Sequence, residues 1–597
     1  MQVLQKEFNP IFLMKICMGL FGLKEPFLSN SRERAKEREG AGTFPEVKIK
    51  VWKFEDSRKI RVIRSYNVDR FVNIIIGEEI TSPRRLYIVR DPSVTEGELH
   101  ELEKRAMELI YVLEGVPTEE ALIKYLEDGG LRRPELQYLI IRELAFDRFG
   151  ALDPLMRDPS LENIECTGPY RPVTVLHSEL GRLETNLVFT EEELDKLVMK
   201  LANKAGKSIS KANPRIDNAR LPGGHRLACT FMSEISEHSS FVIRKFPSEP
   251  WTITRHMLSG TLTPEIGAWL WLLVEHKLPI LIVGGMGTGK TSLANSLCGF
   301  IPPDKRVGTV EDVPEFNLPV KKQNWQRMFT RESYSIDGKG SIDLFALVKE
   351  MLRYQVEYLI VNEIRGEEAK VWFQQISSGH GGITTIHADD FTSALVRLKD
   401  LGIEIASLNS LHGLVYIAVY TKDGKRVRRI REVADFELVD GKPVFRVLFR
   451  YNPSNDTYES VLPEELAKTR SAAKIINISD KIHNENELIN EYKRRIEFLR
   501  WLLEKAKNDQ SYTKLNILIN LFEKFYRDPL FFYKELETPM DVQRKEKPYI
   551  KIVEIKKMKQ DIKIVNLKQS IPQPGMIVKA KRQRKQRKLF KIRGDNK

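Results

Sequence analysis

Eight consecutive residues, Gly284-Gly285-Met286-Gly287-Thr288-Gly289-Lys290-Thr291, fit the pattern G-x-x-x-x-G-K-[ST]. That pattern handles phosphate. Glycines without Cβ let successive backbone N–H groups close around phosphate oxygens, and the N-terminus of a following helix adds its dipole. Lys290 supplies a point charge for the β- and γ-phosphates, Thr291 a hydroxyl for Mg²⁺, and Ser292 continues the binding run into the helix. The elements such a loop needs lie on either side of it. Leu281-Ile282-Val283 is the short apolar run of a buried parallel strand, and Leu293, Leu297 and Phe300 recur at helical spacing behind the loop. Residues 284–292 therefore read as an ATP-binding P-loop and not as a chance glycine-rich turn.

Hydrolysis at a P-loop also needs carboxylates at the ends of neighbouring strands, to complete the metal site and orient the attacking water. Two candidates follow. Val307 to Val310 reads as a strand and runs into Glu311-Asp312-Val313-Pro314-Glu315. Tyr358 to Val361 reads as another and runs into Asn362-Glu363, the apolar-run-then-acid order of a Walker B element. Next, His380 and His387 bracket a strand in Ser378-Gly379-His380-Gly381-Gly382-Ile383-Thr384-Thr385-Ile386-His387, which suggests a phosphate sensor that couples hydrolysis to movement. Upstream, a turn-rich cationic stretch from Asn213 to Arg226 leads into the strand Phe241 to Phe246 and brings several arginines beside tight turns.

Around this chemistry the chain holds 597 residues, enough for about three or four domains. Four dispersed cysteines, with no C-x-x-C pair, exclude a zinc-ribbon or disulfide framework and fit a reducing cytosol. No segment reaches the ~20 apolar residues of a membrane-spanning helix. Ile11 to Leu23 is apolar but short and interrupted by Lys15, and is read as a weakly ordered extension. The net charge of +14 is concentrated: residues 541–597 hold 19 Lys+Arg against 5 Asp+Glu, which leaves the rest of the chain near neutral.

The expected fold class is α/β: a RecA-like P-loop ATPase domain, preceded by α+β N-terminal domains and followed by a helical, basic C-terminal extension. An extension and linker occupy residues 1–45. An α+β domain covers 46–146, with strands at Val47 to Val51 and Arg61 to Ile63 and helices beginning near Leu99, Leu122 and Leu136. A second domain, 147–247, carries a helix from Thr190 to Ala205 and contributes the arginines. The ATPase domain, 248–455, alternates strand and helix and ends in a hairpin around Asp440-Gly441. Two apolar stripes, Leu488 to Leu503 and Leu515 to Phe525, predict a helical hairpin within 456–540. Its Phe/Tyr content reads as core ahead of a docking patch. For the basic tail 541–597 three readings stand: solvated disorder, an anchor for anionic lipid worth about 1 kcal/mol per basic residue, or a nucleic-acid arm.

These ordered motifs resemble the hexameric ATPases of type II and type IV secretion, pilus assembly and the archaellum, with the archaeal branch nearest. The resemblance covers residues 146–435. It rests on the P-loop, an aspartate box (Thr309 to Glu315), a Walker B run (Leu359 to Gly366), a histidine box (Gly379 to Asp389), and the upstream Ala219 to Arg226 and Ile243 to Phe246. It implies a homohexameric ring that uses ATP and Mg²⁺ and lies peripherally at the cytoplasmic face of the cell membrane. The implied partners are a polytopic membrane platform protein and, indirectly, pilin-like subunits. By the same resemblance Glu315 and Glu363 activate water, Thr291 and Glu363 serve the metal, His380 and His387 form the histidine box, and Arg220, Arg226 and Arg244 approach phosphates, in cis or across a subunit boundary. Three departures stand out: Asn362 replaces the usual glycine, Gln355-Val356 replaces Arg-Pro, and the four-cysteine zinc module of many bacterial relatives is absent. The competing reading is a nucleic-acid translocating or DNA-transfer ATPase.

Overall fold

Apolar runs too continuous for a half-exposed strand build the sheet that carries the site. In the computed structural model, which describes residues 47–52, 60–82, 84–113, 117–247, 249–318, 322–331 and 340–536, β-strands Ile280–Gly284, Val307–Glu311 and Tyr358–Val361 are buried at every position. Strands covered on both faces belong to a parallel sheet with helices packed above and below. The ideas about residues 1–46 and about the tail 541–597 lie outside the described residues.

The fold is α/β, and the described residues form two nine-stranded sheets. The N-terminal sheet contains β1 (Ile60–Asn67), β2 (Asn73–Glu79), β3 (Arg85–Arg90), β4 (Leu161–Cys166), β5 (Pro172–His177), β6 (Gly181–Val188), β7 (Arg215–Arg220), β8 (Arg226–Thr230) and β9 (Ser240–Arg244), in the order β1-β2-β3-β6-β5-β4-β9-β8-β7. Because β3 pairs in parallel with β6, residues on both sides of position 146 share one sheet and one apolar core. Helices α1 (Glu96–Val112), α2 (Glu119–Asp128), α3 (Pro134–Leu144) and α4 (Glu191–Lys204) add their apolar faces to that core. Threonine caps at Thr95, Thr118 and Thr190 start three of them by accepting from the N3 backbone N–H.

Two local readings change. Val47 to Val51 is expected as a strand but has no ladder partner among the described residues; the N–H groups of Ile49 and Trp52 donate instead to Glu103 (3.0 Å) and Asp91 (2.8 Å). Side-chain acceptors there satisfy the backbone that a neighbouring strand would otherwise serve. The turn-rich stretch 213–226, in contrast, forms a real hairpin between β7 and β8, whose polar edge position hides its alternation.

The second sheet contains β10 (Ile280–Gly284), β11 (Val307–Glu311), β12 (Trp325–Phe329), β13 (Tyr358–Val361), β14 (Gly381–His387), β15 (Gly413–Lys422), β16 (Lys425–Val439), β17 (Lys442–Asn452) and β18 (Thr457–Ser460), ordered β12-β11-β13-β14-β10-β15-β16-β17-β18. Pairing is parallel from β12 to β15 and antiparallel beyond. Asp440 and Gly441, both at positive φ, turn the predicted hairpin from β16 to β17.

The helical extension is part of this core. Helices α5 (Pro264–Glu275), α6 (Lys290–Leu297), α7 (Glu485–Asn508) and α8 (Leu515–Arg527) bury Trp271, Phe300, Phe498, Phe522 and Phe525 against one another, with ring centroids 4.6–5.7 Å apart. Tyr526 locks the arrangement: its hydroxyl accepts from Trp271 Nε1 (2.8 Å) and donates to the Phe300 carbonyl (2.6 Å). The aromatic residues of 456–536 therefore fill a core, and are not a docking patch. Removing Phe498, which is wholly buried, is expected to lower stability by about 3–5 kcal/mol. Urea unfolding of Phe498→Ala followed by tryptophan fluorescence tests this; an unshifted midpoint would mean that α7 does not pack on α5.

Candidate functional site

Parallel pairing brings the chemistry-bearing strand ends to one edge. Gly284 pairs with His387, and Val310 with Val361, so β10, β11, β13 and β14 end side by side. Ligands of open α/β sheets bind at such carboxyl-end edges. The loop from Gly284 to Lys290 rises there. A Cβ on Gly284 would meet the Ile417 carbonyl at 2.5 Å, so only glycine fits where β10 meets β15. Gly289 stands at φ 95 and directs the chain into α6, whose N-terminus has no side-chain cap. The first N–H groups of that helix are thereby left for a ligand.

Inside the loop, Thr288 Oγ1 donates to the Gly285 carbonyl at 3.0 Å, and Lys290 Nζ donates to the same oxygen at 2.8 Å. Lys290 is 7% exposed. Its other neighbour is His387 Nδ1 at 3.4 Å. Among the described residues no carboxylate pairs with it. Burial pushes the Lys290 ammonium down to about 8, although Glu363 and Glu315 act in the other direction. Burial, with the Lys290 charge second, also lowers His387.

The acidic groups stand around this cation. Glu363 follows β13, with Oε1 3.6 Å from His387 Nε2. Glu315 is reached by Arg244 Nη1 at 3.8 Å. Between them, Thr291 Oγ1 donates to Asn362 Oδ1 at 3.0 Å, so the residue that departs from the expected glycine holds the hydroxyl expected to face a metal. Hydroxyl, amide and carboxylate oxygens beside an unpaired ammonium fit a hard divalent cation that travels with a polyphosphate. Thr291 and Glu363 are the residues that would hold it.

Glu311 ends β11 and is fully buried. It accepts the Glu315 and Phe316 N–H groups at 2.7 Å each, and Arg327 Nη2 donates to it at 3.2 Å. Burial raises its carboxyl, with Arg327 opposing. Glu311 fixes the backbone that presents Glu315. A charged residue closing an all-buried strand was the sequence signal for it.

The two histidines separate. His387 ends β14 at the loop, whereas His380 precedes the first residue of the strand and contacts Ser378 Oγ at 3.2 Å. Seven residues of strand put them roughly 23 Å apart. The arginines converge: Arg220 pairs in register with Arg226, and Arg226 with Arg244, across β7, β8 and β9. Only Arg244 of the three makes an ion pair among the described residues.

Residues 191–420 match the family described as type II/IV secretion system protein. An uncharacterised protein of Methanocaldococcus jannaschii is 36% identical over 260 residues, which are 43% of this chain and 93% of that one. A second from the same organism is 34% identical over 352 residues, 56% of this chain and 62% of its own length, so the match spans less than two thirds of that relative. Conjugal transfer protein TrbB of Rhizobium radiobacter is 30% identical over 232 residues, 37% of this chain and 68% of that protein.

The Lys290 environment carries a pH prediction. In the free protein the ammonium is charged below about 8 and neutral above. Phosphate favours the charged form, so nucleotide affinity is full below that value and falls as pH rises through it, by up to about tenfold per pH unit. Titrations with a fluorescent ATP analogue between about pH 7 and 9.5 measure this directly; constant affinity over that range would overturn it.

Proposed function

The chain belongs to the type II/IV secretion system protein family, and from that premise we propose that it is an ATP-hydrolysing ring motor. It powers assembly of a type IV pilus-like filament, or secretion, through a membrane platform. The observation that carries this reading is the buried, unpaired Lys290 ammonium, with Glu315 and Glu363 at neighbouring strand ends.

The residues divide the work. Lys290 and the backbone N–H groups of residues 286–292 bind the phosphates, and Thr291 with Glu363 would hold Mg²⁺. When bound, Mg²⁺ neutralises charge on the transferring phosphoryl group. Glu363 and Glu315 orient the attacking water. Arg220, Arg226 and Arg244 donate to developing phosphate charge, from the same chain or from a ring neighbour. Such an arginine contributes about 10³–10⁵ in rate. His387, between Lys290 and Glu363, reads the γ-phosphate; His380 takes part only from the far edge of β14 or at a subunit boundary.

Motors of this kind act as homohexamers at the cytoplasmic face of a membrane, with a polytopic platform protein as direct partner and pilin-like subunits as indirect ones. The basic tail would meet anionic lipid. No described helix is long and apolar enough to cross a membrane. A DNA-transfer motor is the second reading, favoured by the likeness to a conjugal transfer protein.

Lys290→Ala is expected to abolish ATP binding. Glu363→Gln is expected to bind ATP with little change and to turn over about 10²–10⁴-fold more slowly; undiminished turnover would sink its assigned role. The two readings part in steady-state ATPase assays of the full chain and of a chain ending at Met540, each alone, with anionic liposomes and with DNA. Tail-dependent stimulation by liposomes supports the secretion or pilus motor. Tail-dependent, steeply salt-sensitive stimulation by DNA supports the translocase.

A further inference from the structure

One arginine far along the chain reaches the tip of the P-loop. Arg428, on β16, has a side chain only 19% exposed. Its Nε donates to the Gly287 carbonyl at 3.2 Å, and its Nη2 donates to Glu162 Oε1 at 2.5 Å. The other oxygen of Glu162 lies 3.9 Å from Arg426 Nη1, and the Arg426 N–H donates to the Glu179 carbonyl at 2.7 Å. One carboxylate from the N-terminal sheet thus bridges two arginines of the ATPase sheet, and one of them holds the phosphate loop.

The carbonyl that Arg428 holds is informative. In a trans peptide the C=O and N–H point in opposite directions. Gly287 C=O shares its peptide unit with the Thr288 N–H, so drawing the carbonyl out toward Arg428 turns that N–H the other way. P-loops bind phosphate with such N–H groups. A peptide flanked by Gly287 at φ 69 rotates easily, and an outside donor is what would fix it.

Glu162 also has a second connection. Its own carbonyl accepts the Lys245 N–H at 2.8 Å, one residue beyond Arg244, which reaches Glu315. The same corner of the N-terminal sheet therefore touches the water-orienting carboxylate through Arg244 and the phosphate loop through Glu162 and Arg428. Displacing that corner displaces both contacts together.

We propose that Arg428 is a positioning residue which orients the Gly287–Thr288 peptide for phosphate and, through Glu162, relays movement of the N-terminal sheet to the phosphate cradle. The proposal rests on the nucleotide-binding reading above. It is tested in the full chain with Arg428→Ala, Arg428→Lys, Glu162→Gln and the double variant Arg428→Ala/Glu162→Gln, by ATP affinity, kcat and thermal midpoint. Arg428→Ala is expected to weaken ATP binding about tenfold with an unchanged midpoint, because a charge-assisted bond to the loop is lost. Glu162→Gln keeps affinity within about twofold and lowers kcat about fivefold, since only the relay is cut. In the double variant kcat falls no further than in the worse single one, as for residues acting in series. Arg428→Lys keeps charge and stem but lacks the two-pronged fork; wild-type affinity and kcat in that folded variant would overturn the proposal, as would additive effects in the double variant. Failure of the parent chain to bind ATP would instead overturn the nucleotide-binding reading.

Discussion

A buried ammonium with only neutral partners governs the architecture of the site. Lys290 is charged near neutral pH, yet its two direct neighbours are a backbone carbonyl and an imidazole nitrogen. Keeping a cation out of water without an anion is costly. A carboxylate placed against it would remove that cost, but phosphate would then have to displace the carboxylate. The nearby acids stand back from it: Glu363 faces His387 at 3.6 Å, Glu315 faces Arg244 at 3.8 Å, and Glu311 is bonded to Arg327 and two backbone N–H groups. The site conserves its attraction for an incoming polyanion by denying Lys290 an internal partner.

The fold makes that denial possible by anchoring everything else. Parallel pairing fixes four strand ends at one edge, and the N–H groups of Asn362 and Ile364 donate to the Val310 and Thr385 carbonyls, so the backbone on both sides of Glu363 is held. In the 3-10 turn Cys298–Phe300 that follows α6, the Tyr526 hydroxyl holds the Phe300 carbonyl and ties the segment after the phosphate-binding helix to the aromatic core of the helical extension. The helix is clamped at its C-terminal side and open at its N-terminal side. This asymmetry accounts for a C-terminal hairpin that lies outside the catalytic motifs yet shares their core.

Much of the site was legible because phosphate chemistry needs contiguous residues: residues 284–291 are named by one pattern, and Asn362-Glu363 by an apolar run followed by an acid. What was hidden depended on tertiary neighbours. Asn362 was visible only as a departure, and its bond to Thr291 gives it a use. Arg428 lies 141 residues from Gly287, on a strand whose sequence carries no motif. His380 and His387 share one motif, but the strand that starts after His380 ends at His387 and carries them to opposite edges. In the N-terminal half, the strand expected at Val47 to Val51 failed because its backbone found side-chain acceptors, a pairing no periodicity reports.

The junction between the two halves of the described chain is polar. The apolar core of the N-terminal sheet ends with Ile243, the clusters of the ATPase sheet begin with Ile253, and no cluster spans both. Contact is made by charges: Arg244 with Glu315, Arg428 and Arg426 with Glu162, Lys425 with Glu179. Interfaces of this kind resemble transient ones and permit relative domain motion. Arg220, Arg226 and Arg244 stand in register on the N-terminal side, and among the described residues Glu315 is the one carboxylate that forms an ion pair with them. A polyphosphate arriving at Lys290 would meet a second cationic surface that packing does not hold in place. Its charge favours approach of that surface, and its loss on hydrolysis favours release. An apolar junction would have no such dependence on phosphate, so under the proposed motor reading the polarity of this boundary would couple the chemistry of the loop to movement of the sheet.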